Sequence, residues 1–222
     1  MLQPDFLMRL KQHNVINKPI KNIIFDLGNV VIHIDPDLTI QKFKSMGIPD
    51  FDSLYTIMRQ SDIFDRLDTG KTTLSAFRNT IRSHSKTNLT DQQIDEAWCA
   101  MLLDFPEENI RLLQRLRPHY KLFLLSNTNQ IHIDYYLDKL QKEKGSALIP
   151  DLFDHAYYSH EIGFRKPHRE AFDYVLKAES LKPAETLFID DLEHNVIGAR
   201  KAGMQAYLHP RENRLADLFV NE

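Results

Sequence analysis

A chain of 222 residues, 42% of them apolar, is long enough for one large domain, or for a core domain with a smaller insert. Charged residues make up 27% and the net charge is −3, so the basic excess of a nucleic-acid-binding protein is absent. The single cysteine, Cys99, excludes an intramolecular disulfide and fits a reducing cytoplasm, and its place beside Trp98 in a helical pattern gives it a structural role.

In chain order, the opening MLQPDFLMRLKQHNVINKPI carries Asp5 and Arg9 inside its apolar stretch and so lacks the core of a signal peptide. No stretch approaches the ~20 apolar residues that span a bilayer. The expectation is a soluble cytoplasmic protein with no membrane or nucleic-acid partner. Next comes IIFDLGNVV at 23–31, an apolar run that ends in Asp26 and continues as Leu27, Gly28 and Asn29. Read alone, this is a strand running into a turn. From 37 to 104 only helical patterns and turns follow. Gly47-Ile48-Pro49 reads as a break, Leu74, Phe77 and Ile81 share one helix face, and Thr90 with Gln93 forms a capping-box signature ahead of Ile94, Ala97 and Trp98. TGKTT at 69–73 imitates a phosphate-binding loop, but position 65 is Asp where that motif needs Gly; it reads as a loop and a helix start.

Beyond this block, strands at Leu122–Leu125, His155–Tyr158, Leu187–Ile189 and Gln205–Leu208 alternate with helices at Glu107–Arg117, His168–Ala178 and His194–Ala202. Continuous apolar runs suit strands buried on both faces of a parallel sheet. The fold class is therefore α/β, a Rossmann-like parallel sheet with helices on both faces and an all-helical insert after the first strand. The expected division is a core of residues 1–35 and 105–222 and a helical unit of 36–104.

Ligands of such sheets bind at the carboxyl ends of the strands. Those ends carry Asp26, then Ser126, Asn127 and Thr128, then Lys166 before a helix, then Asp190 and Asp191. A carboxylate can attack phosphorus, a hydroxyl and backbone amides can hold phosphate oxygens, a lysine can neutralise charge, and paired acids can hold Mg2+. The ten histidines show no zinc spacing.

With FDLGNV, LLSNTN, GFRKPHREAFDYVL and LFIDDLEHNVIGARKAG in that order, the chain resembles the haloacid dehalogenase superfamily of phosphatases from about Asn22 to Leu208. Its first motif is similar to that of a bacterial subgroup, with DLGNV, that includes phosphatases of α-D-glucose 1-phosphate. The resemblance implies that the insert is a cap. It makes Asp26 the nucleophile, Ser126 and Asn127 phosphate-binding residues, and Lys166 the cation that steadies nucleophile and phosphate. It assigns Mg2+ to Asp26, the Gly28 carbonyl, Asp190 and Asp191, with Asp191 preferred, and makes Asn195 a support for that loop.

One position departs from the pattern. Most phosphatases of the superfamily carry a second Asp two residues after the nucleophile, to protonate the leaving oxygen; here that position is Gly28. General acid–base help is worth roughly 10²–10⁴ in rate, or about 3–5 kcal/mol. The expected substrate is therefore a small phosphorylated metabolite whose leaving group needs little protonation, a sugar 1-phosphate in the first instance. His33 and Asp35 are the stand-in acids within reach along the chain. Arg59, Arg66, Lys71 and Trp98 of the insert could face a substrate, but solvated charges and a core Trp98 are the simpler reading. Two other functions stay open: a phosphate-ligand binder that has lost catalysis, and a dehalogenase, whose chemistry needs no metal and leaves Asp190-Asp191 unexplained.

Overall fold

The computed structural model describes residues 19–60, 63–146 and 148–219; the opening segment read against a signal peptide lies outside them. Five parallel strands run in the order β3-β2-β1-β4-β5: β1 Asn22–Phe25, β2 Lys121–Ser126, β3 His155–Tyr158, β4 Thr186–Asp190 and β5 Gln205–Leu208. Alternate residues of the central strands enter two separate cores. Ile23, Phe25, Leu122, Leu124, Leu187 and Ile189 pack on one face, whereas Ile24, Phe123, Leu125 and Phe188 pack on the other against Phe172, Val175, Val196 and Ala199. Burial on both faces is why these strands are apolar at every position rather than at every second one.

The chain goes from β1 to β2 and β3 on one side, then crosses to β4 and β5 on the other. The order reverses between β1 and β4, and a crevice at that switch point is where such sheets take ligands. Asp26 follows β1 there, with its amide on the Ile189 carbonyl at 2.9 Å, and Asp190 ends β4.

Between β1 and β2 the described elements are helices: Pro36–Ser45, Phe51–Gln60, Ile63–Asp68, Leu74–Ser83, Asp91–Trp98 and Glu107–Leu116, with a short 3-10 turn at Cys99–Met101. The chain enters and leaves the first five through paired segments, where Ile34 bridges Leu102 and the His33 and Leu103 backbones bond across. Thr90 and Gln93 form the expected capping box, and Thr73 caps Leu74–Ser83 through the Ala76 amide, so TGKTT is a loop and a helix start. Trp98 is core: it lies 5.0 Å from Phe77 and stacks on His132 at 5.1 Å. Cys99 is buried, with its thiol on the Ile131 carbonyl at 3.6 Å, and burial pushes its pKa up; a structural role fits. Among the described residues no helix is long and apolar enough to cross a membrane.

The helix Glu193–Lys201 packs close beneath the loop that carries Lys166. Gly198 permits it, since a Cβ there would stand 2.5 Å from the Pro167 carbonyl oxygen and 2.9 Å from the Phe172 ring. The Pro167 carbonyl is backbone and cannot yield without moving the loop. Gly198→Ala is expected to cost about 1–3 kcal/mol in urea unfolding and to lower turnover, because the displaced backbone carries Lys166.

Candidate active site

The sheet brings together most of the residues singled out at its carboxyl edge. Lys166 is 1% exposed, and its Nζ donates to Asp26 Oδ1 at 2.6 Å and to Asp190 Oδ2 at 2.7 Å. The Phe188 ring lies 5.3 Å below the ammonium, at cation–π range. Burial alone would push the Lys166 pKa down; the charges of Asp190 and Asp26, with hydrogen bonds to both, reverse this and hold it above the usual lysine value. Burial, only partly offset by Lys166 and reinforced by Asp190, pushes the Asp26 carboxyl up to about 7.

Asp190 is fully buried, and its oxygens accept from Lys166, from the Leu192 amide at 2.8 Å and from Asn195 Nδ2 at 3.0 and 3.1 Å. Asn195 thus supports this loop. Asp191 takes Arg211 Nε on Oδ2 at 2.8 Å. One carboxylate oxygen from each of Asp26, Asp190 and Asp191 falls within 4.8 Å of the others. Three hard oxygen donors at that spacing suit Mg2+, which prefers carboxylates.

Ser126 ends β2 and is buried. Asn127 does something the sequence did not announce. Its Nδ2 donates to the Lys166 carbonyl at 2.8 Å, while its Oδ1 accepts the Lys166 amide at 2.9 Å. The side chain is a two-point clamp on the lysine's backbone. Gly28 lies beyond the strand in a tight turn: the Asn29 amide bonds the Ile32 carbonyl at 2.7 Å, and Asn29 Oδ1 accepts from the Ile34 amide. A Cβ built on Gly28 would meet Ile34 Cδ1 at 2.8 Å. Ile34 therefore occupies the space where an acidic side chain would begin.

The two stand-in acids are engaged elsewhere. His33 is 60% exposed and pairs with Asp104, and Asp35 caps its helix through the Asp37 amide. Arg66 and Lys71 line a cavity of about 480 Å3 with Phe164, Arg165 and Glu170; the Arg59 side chain lies outside the described set.

One residue escaped the sequence reading. Asp68 ends the helix Ile63–Asp68, its side chain only 17% exposed, with Oδ1 3.4 Å from Asn129 Nδ2 and Oδ2 4.0 Å from Arg165, which is turned to Asp65. Burial outweighs the Asn129 bond and pushes the Asp68 carboxyl up to about 6.

Residues 20–203 match the family of haloacid dehalogenase-like hydrolases. The chain belongs to this family. This hydrolase is 31% identical over 188 residues to the D-ribitol-5-phosphate phosphatase of Bacteroides thetaiotaomicron, across 85% of this chain and 91% of that one. A HAD family enzyme of the same species, solved in complex with magnesium and inorganic phosphate, is 33% identical, with a TM-score of 0.83 over 90% of this chain and 100% of that chain. The L-2-haloacid dehalogenase of Xanthobacter autotrophicus shares the fold, with a TM-score of 0.57 at 21% identity over 84% of this chain and 76% of that one.

Two outcomes follow from this haloacid dehalogenase-like site. Removing Lys166 strands two buried carboxylates, a loss of the kind worth about 3–5 kcal/mol; Lys166→Met should therefore show that loss in urea unfolding at pH 7. Asp68 differs in sign. Its folded pKa of about 6 exceeds the ordinary 3.8, so the folded state holds the proton longer and stability falls as pH rises from about 4 to 7. Asp68→Asn cannot ionise, so it should be more stable than the native protein above pH 7, on the order of 1–3 kcal/mol, with the difference vanishing below pH 4 in paired denaturation curves.

Proposed function

We propose that this hydrolase is a Mg2+-dependent phosphoric monoester hydrolase of small phosphorylated sugars or polyols, working through an aspartyl-phosphate on Asp26. The buried ammonium of Lys166, held at once by Asp26 and Asp190 with Asp191 alongside, carries the reading. Mg2+ would be held by Asp26, the Gly28 carbonyl, Asp190 and Asp191. Asp191 is the more direct ligand, because Asp190 already accepts from Lys166, Leu192 and Asn195. When bound, the cation offsets the negative charge of carboxylates and phosphate.

Asp26 attacks phosphorus with the oxygen that Lys166 does not hold. Lys166 keeps the nucleophile oriented and carries positive charge to the phosphoryl oxygens. The Ser126 hydroxyl and the Asn127 backbone amide hold those oxygens, and the Asn127 side chain fixes the lysine's loop. Residues 36–104 act as a cap that excludes bulk water and leaves room for a small ester rather than a protein. The single buried cysteine agrees with a cytoplasmic enzyme.

Two leaving groups have support. The relative named for D-ribitol 5-phosphate points to a primary alcohol; Gly28 in place of an acid points to the anomeric oxygen of a sugar 1-phosphate. Phosphate release from D-ribitol 5-phosphate, glucose 1-phosphate and glucose 6-phosphate, with and without Mg2+, separates them. The native protein should release phosphate only with Mg2+, Asp26→Asn should fall to background, and the preferred ester names the leaving group. Release from none of the esters would instead mark a phosphate-ligand binding protein.

A further inference from the structure

Position 28 carries no acid, Ile34 fills the space beside it, and His33 and Asp35 are committed to other partners. A primary-alcohol leaving group still needs a proton. Among the described residues, Asp68 meets that need by place and by environment.

Its place follows from its contacts. Asn129 lies three residues beyond Ser126, which ends β2, and Arg165 immediately precedes Lys166, whose ammonium touches Asp26. Asp68 therefore sits over the loops after β2 and β3, at the carboxyl edge of the sheet. The backbone beside it is seated there: Gly70 has a φ of +67°, and a Cβ on it would lie 2.5 Å from the His160 carbonyl oxygen. The network behind Asp68 fixes its orientation. His132 Nε2 lies 3.2 Å from the Trp98 carbonyl, its Nδ1 lies 3.4 Å from Asn129 Nδ2, and Asn129 Oδ1 accepts the His132 amide. Burial holds His132 neutral, with its pKa near 4. Nε2 then donates to Trp98, Nδ1 accepts from Asn129, and the amide's second N–H is left for Asp68.

We propose that Asp68 is the acid–base residue of the reaction, delivered from the helical block to do what position 28 cannot. The inference rests on the phosphatase reading above. As Asp26 Oδ bonds to phosphorus and the P–O ester bond breaks, the Asp68 carboxyl gives its proton to the departing alcohol oxygen. The Asp68 carboxylate then takes a proton from water as that water's oxygen attacks phosphorus, which frees Asp26 and releases phosphate. Protons and charge balance without a further reactant.

A buried carboxyl pushed up to about 6 is a fit donor near neutrality, and 17% side-chain exposure leaves it open to a ligand. Its rivals are less suited. Asp65 is 54% exposed and paired with Arg165, and burial pushes the His160 pKa down, so its ring is neutral and Nδ1 faces the Thr128 carbonyl.

The test compares leaving groups. kcat/KM for D-ribitol 5-phosphate and 4-nitrophenyl phosphate is measured with Mg2+ for the native protein, Asp68→Asn, Asp68→Ser and Asp26→Asn. The Asp68 variants should lose roughly 10²–10⁴-fold on the alkyl ester but little on the nitrophenyl ester, whose leaving group needs no proton. They should also show a burst of one nitrophenol per enzyme, because water attack then becomes slow. Equal losses on both esters would make Asp68 a structural support, and no loss on either would remove it from the reaction; both outcomes overturn the proposal. Asp68→Ser gives the same comparison where the amide disturbs Asn129. If the native protein hydrolyses neither ester, or Asp26→Asn keeps full activity, the phosphatase reading itself fails.

Discussion

Lys166 is the one cation buried against two carboxylates among the described residues, and the site is organised around it. Its ammonium joins Asp26 at the end of β1 to Asp190 at the end of β4, the two parallel strands between which the strand order reverses. An ion buried this deeply is tolerable only when its partners are close and its other neighbours satisfied. The fold meets both conditions from outside the ion pair. Asn127 clamps the lysine backbone, Gly198 lets a helix press against Pro167, and Asn195 and Leu192 saturate the far side of Asp190. The result is a charged cluster whose geometry is set before any substrate arrives, which is what electrostatic catalysis requires.

The helical block docks on this cluster through polar groups as well as through its apolar core. Asp65 and Asp68 face Arg165, Asn129 reaches Asp68, and Gly70 rests on the His160 carbonyl. Behind them, the Trp98–His132 stack ties the block's own core to the helix that follows β2. The same elements therefore decide two things: where the helical block meets the sheet, and which of its side chains lie over the sheet's carboxyl edge.

This arrangement bears on Gly28. In the family pattern the acid stands on the same strand end as the nucleophile, and both are placed by one turn. Here that turn is filled by Ile34, which stands 2.8 Å from where a Cβ on Gly28 would lie. Proton transfer carried by a residue of the cap would couple chemistry to cap position, so that the acid is present only when the site is closed.

Sequence alone determined the five strands: burial on both sheet faces forces unbroken apolar runs in the three central ones, and the alternation with helices marked the two partly exposed edge strands. It determined Asp26, Ser126, Asp190 and Asp191 at or just past strand ends, and Lys166 beyond β3 and ahead of the next helix, because a parallel sheet collects such loops on one edge. The helix Gln130–Lys144 left no comparable trace: Ile131, His132 and Ile133 are all buried side by side, so its apolar positions do not trace a single stripe. That Asn127 also clamps the Lys166 backbone was not legible, since a side-chain amide shows its partner only once another loop lies beside it. Asp68 was invisible for the same reason. An acid at the end of a short polar helix reads as solvated, and only the packing of that helix onto the loops after β2 and β3 removes its water. What tertiary structure decided was thus desolvation, which depends on residues distant in the chain: it turns an ordinary carboxyl into one that keeps its proton.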